Sequence, residues 1–91
     1  MNHNPQKHRN ILAVNEPREI QVGEDRLANP FVVFVPQPQT VTLINDKWRI
    51  DDEWWRREPV SRMYYDVLLA SGKQLVIFKD LVSGRWYRQN Y

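Results

Sequence analysis

The side chains that most often perform catalysis are few in this chain of 91 residues, and they stand in unfavourable positions. The two histidines, His3 and His8, lie in a polar N-terminal stretch where no general base can be held in place. Cysteine is absent, which removes both a thiolate nucleophile and a thiolate metal site. The three serines, Ser61, Ser71 and Ser83, stand at turns or strand starts, where turn chemistry explains them. The sequence therefore predicts a protein that is not an enzyme.

The sequence supports a cofactor or metal site no better than it supports catalysis. The acidic run Asp51–Glu53, with Asp46 nearby, matches no calcium-loop spacing, and adjacent carboxylates cannot all converge on one ion. First-turn helix residues or solvated corner charges explain these carboxylates more simply. The three glycines, Gly23, Gly72 and Gly84, are isolated from one another, so none belongs to a phosphate-cradling motif. We expect no cofactor and no metal.

Arginine and aromatic residues alternate in the second half of the chain, and this is the pattern that points to binding. The residues concerned are Arg49, Arg56, Arg57, Arg62, Arg85 and Arg88 with Trp48, Trp54, Trp55, Trp86 and Tyr87. Three interpretations compete: cation–π packing within a small aromatic core, a protein-docking patch, and stacking on single-stranded nucleic acid. If Trp54 and Trp55 are extended, they can hardly both point inward, so we expect at least one to be partly exposed.

Composition narrows the class of protein. The net charge of +2 and the pI near 9.2 are a mild basic excess, not the strong basic stripe of a dedicated nucleic-acid binder. A chain of this length makes one small domain, and its large aromatic side chains must supply the stability that disulfides cannot. Absence of cysteine and of any long apolar segment fits a cytoplasmic protein.

The elements that must position these residues are mostly strands. Residues 1–16 are predicted to be a disordered or loosely attached tail, and residues 17–91 a single small β domain. Short runs rich in β-branched and aromatic residues predict strands. These lie at 18–22, 31–35, 40–44, 47–50, 62–69 and 74–80, with a last strand from residue 85. Asn45-Asp46 is expected to be a kink, and 52–57 one short helical turn that Pro59 must end.

The last thirty residues predict a three-strand antiparallel meander in some detail. If Ser71-Gly72 is a two-residue turn, the opposed pairs are Tyr65–Phe78, Val67–Val76 and Leu68–Leu75. A four-residue loop with Gly84 at positive φ then gives the pairs Asp80–Arg85 and Phe78–Tyr87, and a three-residue loop with a bulge is the alternative. This register assigns many of the aromatic residues to the hairpin core, and we expect Trp48 and Trp86 to join them. The predicted fold is mainly β, a twisted antiparallel sheet or small, partly open barrel of about five or six strands.

A set of spaced motifs runs through the second half of the chain. They are Trp48-Arg49-x-Asp51-x-x-Trp54-Trp55, Arg62-x-Tyr64-Tyr65-x-Val67, Phe78-Lys79-Asp80, Gly84-Arg85-Trp86-Tyr87 and Tyr91. This pattern resembles a small bacterial domain of unknown function, with an earlier match over 17–22. A similar pattern ends the ImuB-type Y-family polymerase homologues, the non-catalytic partners in a damage-inducible translesion mutasome. The resemblance spans 17–91 and implies a role in bacterial DNA repair. It brings no established activity with it.

Together these observations predict an interaction module. Its docking corner for a protein partner, within the translesion or DNA-repair machinery if the resemblance holds, is Trp54-Trp55-Arg56-Arg57. The alternative is a single-stranded DNA-binding accessory domain that uses the same aromatic residues with Arg85 and Arg88. Pairing of apolar strands such as 31–35 between two chains would make a homodimer a third possibility.

Overall fold

The protein is a closed barrel of six antiparallel strands. The computed structural model describes residues 16–52 and 60–89. The strands are β1 (Arg18–Glu24), β2 (Pro30–Phe34), β3 (Pro38–Asp52), β4 (Val60–Leu69), β5 (Gln74–Asp80) and β6 (Trp86–Arg88). Each strand pairs with the next one in sequence, and β6 pairs with β1 to close the barrel. The predicted mainly β fold of about five or six strands is confirmed, and the barrel is closed.

The predicted helical turn and the predicted tail fall mostly outside the described residues. Asp51 and Asp52 are the last residues of β3, so they belong to a strand. Residues 53–59, which hold the rest of the predicted turn, and residues 1–15 lie outside the described part of the chain. The division into a tail and a single domain therefore stays a prediction. No helix long and apolar enough to cross a membrane is present among the described residues.

Strand β3 is the longest element, with 15 residues, and it bends around the barrel. Residues 38–40 pair with β2, and the register against β4 shifts between Val41 and Leu43 and again between Ile44 and Asp46. The second irregularity confirms the kink predicted at Asn45-Asp46. Bulges of this kind increase local twist, and they let one strand take part in both halves of the barrel.

The connection between β4 and β5 differs from the predicted two-residue turn. The amide of Leu69 donates to the carbonyl of Lys73 at 2.8 Å, so three residues, 70–72, form the loop. Gly72 has a φ of 90°, which suits the last position of such a loop and is costly for other residues. The extra residue shifts the register by one, and the predicted pairs were wrong. The observed pairs are Tyr64–Phe78, Tyr65–Ile77, Asp66–Val76, Val67–Leu75 and Leu68–Gln74.

The connection between β5 and β6 agrees with the prediction. Asp80 donates its amide to the carbonyl of Arg85 at 2.8 Å, and Phe78 lies opposite Tyr87. Gly84 has a φ of 80° at the end of this loop. The side chain of Asp80 supports the turn, because its Oδ1 accepts a hydrogen bond from the amide of Val82 at 2.8 Å.

The core lies inside the barrel. Its buried members are Val33, Tyr65, Val67, Leu69, Leu75, Ile77 and Trp86. Ile20, Val22, Val35, Val41, Ile44 and Met63 pack against them. Trp86 therefore joins the core as predicted. Trp48 does not, because it lies opposite Tyr64 on the other face of the sheet.

Candidate interaction surface

Four aromatic residues form a row across the outer face of the barrel, one from each of β3 to β6. They are Trp48, Tyr64, Phe78 and Tyr87, and each lies directly opposite the next in the strand register. The Trp48 and Tyr64 rings are stacked, with centroids 5.4 Å apart and planes 7° apart. The remaining ring pairs have centroid distances of 4.9 Å and 5.2 Å. We call this row the outer aromatic ladder.

The ladder exists because successive side chains of a strand point to opposite faces. Tyr65 and Ile77 are buried inside the barrel, so their neighbours Tyr64 and Phe78 must point outward. The three-residue loop at 70–72 brings these two outward rings opposite each other. Under the predicted two-residue turn, Phe78 would instead have faced Tyr65.

The middle of the ladder is covered, although it is on the outer face. Phe78 is only 2% exposed and Tyr64 only 8% exposed. The guanidinium of Arg62 lies 4.5 Å from the centroid of the Phe78 ring, and its Nη1 donates to the Tyr64 hydroxyl at 3.2 Å. Arg62 thus contributes both a cation–π contact and a hydrogen bond to one small cluster. The two end residues, Trp48 and Tyr87, remain half-buried.

An exposed aliphatic flank lies beside the ladder. Ile50 is 41% exposed and lies opposite Arg62, which in turn lies opposite Asp80 in the neighbouring strand. Leu81 and Val82, 38% and 67% exposed, follow directly in the next turn. Ile50 is two residues along β3 from Trp48, and Leu81 and Val82 begin the turn that follows β5, so the three aliphatic residues are at the same end of the sheet as Arg62.

A polar cluster on the inner face secures the opposite side of β5 and β6. Trp86 donates its indole N–H to Glu24 at 2.8 Å, and the ammonium of Lys79 lies 3.0 Å from the same carboxylate. These contacts, led by the Trp86 hydrogen bond, lower the pKa of Glu24 despite partial burial. Burial, together with the negative charges of Glu24 and Asp25, raises the pKa of the Tyr65 phenol. Every group here has a structural partner, so the cluster serves the fold.

The acidic residues at the end of β3 are also engaged locally. Asp51 accepts a hydrogen bond from the Ser61 hydroxyl at 2.6 Å and forms an ion pair with Arg49 at 2.9 Å. The hydrogen bond from Ser61, followed by that from Arg49, lowers the pKa of Asp51. Within residues 16–52 and 60–89, no group of three potential ligands could hold a metal ion.

The predicted site residues do not form one described surface. The corner Trp54-Trp55-Arg56-Arg57 lies outside the described residues. Arg85 is exposed and lies 3.8 Å from Glu19. Arg88 lies opposite the buried Ile77, so it points to the inner face at one end of the barrel. The two arginines predicted to act together therefore belong to different regions.

The ladder itself was missed as a site. Trp48 and Tyr87 appeared among the alternating arginine and aromatic residues, but Phe78 and Tyr87 were assigned to the hairpin core. The adjacent Tyr64 and Tyr65 point to opposite faces of β4, so one of them had to lie on the same face as Phe78 of β5. This signal could be used only with the correct loop length, since a change of one residue reverses the face.

Comparison of the chain with protein-family models, with curated proteins and with solved structures finds no match.

Proposed function

We propose that this protein is a non-enzymatic interaction module that docks a protein partner on the outer aromatic ladder and its aliphatic flank. In this proposal the partner presents an apolar, largely uncharged surface, and the process served is bacterial DNA repair by translesion synthesis. The repair context rests on the family resemblance of residues 17–91. The docking surface rests on the geometry of the ladder.

The observation that carries the proposal is the aliphatic flank next to an already ordered aromatic row. Ile50, Leu81 and Val82 expose apolar surface beside rings that stacking and Arg62 hold in place. A rigid aromatic surface loses little conformational entropy on binding, which is why tryptophan, tyrosine and arginine dominate binding hot spots. Residues 53–59 connect β3 to β4 in the sequence, so the predicted corner is covalently joined to the strands that carry Trp48, Ile50 and Arg62.

The direction of the aromatic rings favours a protein over single-stranded DNA. Bases stack on aromatic faces that are open to solvent. In the ladder the rings of Trp48 and Tyr64 face each other at 7°, and Phe78 is covered, so the ring faces are already occupied. Only the far faces of the two end residues remain, which is a poor platform for successive bases.

The cations on this side of the barrel favour the same conclusion. Arg62 covers Phe78, and Arg85 lies beside Glu19, which is opposite Tyr87. A phosphate backbone would have to compete with these contacts. An apolar protein surface could leave them in place.

The proposal is tested by comparing Ile50→Glu with Leu43→Glu. Both residues are exposed on β3, Leu43 at 53%, but Leu43 lies near Leu68 and far from the ladder. Wild-type and variant proteins are immobilised, and captured proteins from DNA-damaged and undamaged bacterial cells are quantified by mass spectrometry. We expect a damage-dependent protein whose capture falls about tenfold with Ile50→Glu, the loss of a typical hot spot, and persists with Leu43→Glu.

A further pair of measurements completes the test. Trp54→Ala/Trp55→Ala is included because the predicted corner follows β3 directly in the sequence, and it too should weaken capture. Labelled single-stranded DNA is titrated at low salt, and we expect no binding. Equal capture by wild-type protein and Ile50→Glu would contradict the docking surface. DNA binding that falls steeply with salt would replace the proposal with the nucleic-acid alternative.

A further inference from the structure

Two arginines face each other at the end of the barrel opposite the aliphatic flank. Arg18 of β1 and Arg88 of β6 are direct partners in the strand register, and Arg88 is also opposite the buried Ile77. Directly opposed residues in an antiparallel pair point to the same face, with Cβ atoms about 4.5–5.5 Å apart. Both side chains therefore start on the inner face of the barrel, where like charges in opposition destabilise the strand pair.

The charge of this pair is not balanced within the described residues. Neither Arg18 nor Arg88 lies within ion-pair distance of a carboxylate in residues 16–52 and 60–89. The Nε of Arg88 is buried and has no hydrogen-bond partner in the same part of the chain. A buried N–H donor without an acceptor is costly, and such groups are rare in native structures.

A cavity of about 300 Å³, open to solvent, lies against the two arginines, of which Arg18 is exposed and Arg88 is half-buried. Its other walls are Glu19, Ile20, Phe34, Val35 and Pro36. Four of these five residues are apolar, and the fifth, Glu19, has Arg85 3.8 Å away. The site thus has a cationic floor and an apolar wall, and its volume lies at the small end of the usual range for ligand pockets.

We propose that this cavity binds the carboxylate of a ligand that has a small apolar body. The guanidinium groups of Arg18 and Arg88 bind the carboxylate, and Ile20, Phe34 and Pro36 contact the apolar part. A planar carboxylate matches the donor geometry of guanidinium and satisfies the buried Nε of Arg88. The ligand is either a free carboxylic acid or the C-terminus of a peptide, which share this chemistry. The site is independent of the outer aromatic ladder.

A carboxylate fits this site better than a phosphate does. A phosphate group presents oxygens in three directions, and those that point toward Phe34, Val35 and Pro36 would lose water without gaining a donor. A carboxylate has two oxygens on one side and can turn an alkyl group toward the wall. The division of the cavity into a charged and an apolar half therefore selects the class of ligand.

The test is a titration of the isotopically labelled full chain with isovalerate, followed by NMR. Isovaleramide has the same shape without the charge, and inorganic phosphate has charge without the apolar body. We expect isovalerate to shift the signals of Arg18, Arg88 and Ile20 at millimolar concentration, with at most weak shifts from the other two compounds. Equal shifts from the amide or from phosphate, or none from isovalerate, would overturn the proposal.

Variants locate the site and separate binding from folding. Arg88→Gln and Arg18→Gln should each weaken isovalerate binding by about tenfold or more, the effect of losing a charge-assisted hydrogen bond. Arg49→Gln is the matched control and should bind like the wild type, because Arg49 pairs with Asp51 and does not line the cavity. Arg88→Leu should abolish binding without lowering the melting temperature, since it removes a charged side chain whose buried Nε has no acceptor in the described part of the chain. Unchanged binding in both the Arg88→Gln and the Arg18→Gln variants, or a loss in Arg49→Gln as large as theirs, would exclude this site.

The source of the carboxylate is decided by a second ligand. N-acetyl-valyl-leucine carries a C-terminal carboxylate on a peptide, and its C-terminal amide is the control. Binding of this peptide with the same dependence on Arg88 would assign the site to peptide C-termini. Binding of isovalerate alone would assign it to free acids, and both outcomes support a carboxylate site.

Discussion

At the scale of single residues, Trp86 of β6 contacts side chains of three other strands. Its ring is tilted against Tyr65, with centroids 5.3 Å apart, and its indole N–H donates to Glu24 of β1. Lys79 of β5 lies 5.9 Å from the centroid of the same ring and also contacts Glu24. A buried indole needs an acceptor, and Glu24 provides it. The closing strand β6 is thus held by side chains as well as by its few backbone pairs.

This cluster predicts a specific pH dependence of stability. The Trp86 hydrogen bond and the Lys79 ammonium lower the folded-state pKa of Glu24 below its ordinary value of 4.5. The carboxylate therefore stabilises the fold fully above that value, and the contribution is lost as the pH falls through the lower folded pKa. We expect Glu24→Gln to reduce the free energy of unfolding at pH 7, with a difference from wild type that narrows below pH 4.5.

Urea unfolding at a series of pH values measures this difference. Glu16→Gln is the control, because Glu16 is exposed and its substitution changes the net charge by the same amount as Glu24→Gln does. Its curve should follow that of the wild type at every pH. A difference between Glu24→Gln and wild type that is constant or grows on acidification would show that the charge of Glu24 does not stabilise the fold.

At the scale of elements, the loop between β4 and β5 sets the face on which every side chain of β5 lies. The three-residue loop directs Phe78 outward to Tyr64 and Ile77 inward to Tyr65. A two-residue loop would exchange these roles and put Lys79 against the outer aromatic residues. Local strand propensity differs little between the two arrangements, so the length of the loop must specify which face each residue of β5 takes.

Gly72 should therefore be sensitive to substitution for backbone reasons alone. Its φ is 90°, and a Cβ at this position would meet nothing within 4 Å. Replacement by alanine should lower the free energy of unfolding by about 1–2 kcal/mol, the cost of left-handed backbone for an L-residue. Gly72→Asn should cost less, because asparagine adopts this conformation more readily.

Equilibrium unfolding in urea checks both variants. Lys73→Ala, at the next exposed position and without a positive φ, should be nearly neutral. If Gly72→Ala were as stable as the wild type, the loop would have to adopt another conformation, and the register that creates the ladder would be in doubt.

At the scale of the whole molecule, the centre of the barrel is buried, whereas one end of the β3–β4 pair is more exposed. We call that end, residues 49–52 with their partners on β4, the β3–β4 arm. The buried core lies among the central parts of β4 and β5, including Val67 and Ile77. In the arm, Ile50 pairs with Arg62, and neighbouring residues such as Asp51 are exposed. Backbone hydrogen bonds with little buried apolar surface around them open more easily than those in a core.

Amide hydrogen exchange followed by NMR should reveal this difference. The amides of Val67 and Ile77 should exchange only through global unfolding, because 0% of each residue is exposed and both lie in the core. The amides of residues 49–52 that donate hydrogen bonds to β4 should exchange faster, through local opening of the arm. Equal protection of both groups would mean that the arm unfolds only together with the barrel, and that the aliphatic flank is more rigid than its exposure indicates.

Local sequence was sufficient to predict most strands, the kink in β3 and the connection from β5 to β6. Alternation of apolar residues, the φ of proline and the turn chemistry around Asp80 and Gly84 act over a few residues. The candidate site was less predictable. The corner at 54–57 remains a prediction, and Arg85 and Arg88 lie in different regions. The outer aromatic ladder depended on the length of the β4–β5 loop, and the sequence there is compatible with a loop of two or of three residues.

Closure of the barrel brings together residues about seventy positions apart, and no local pattern encodes that contact. The pairing of Arg18 with Arg88 exists only because β6 returns to β1. The outer aromatic ladder likewise requires four strands in one register. The sequence by itself determined that the chain forms strands and where its aromatic residues stand. Their division between core and surface came from tertiary register, since a shift of one residue costs little in local propensity and reverses every face.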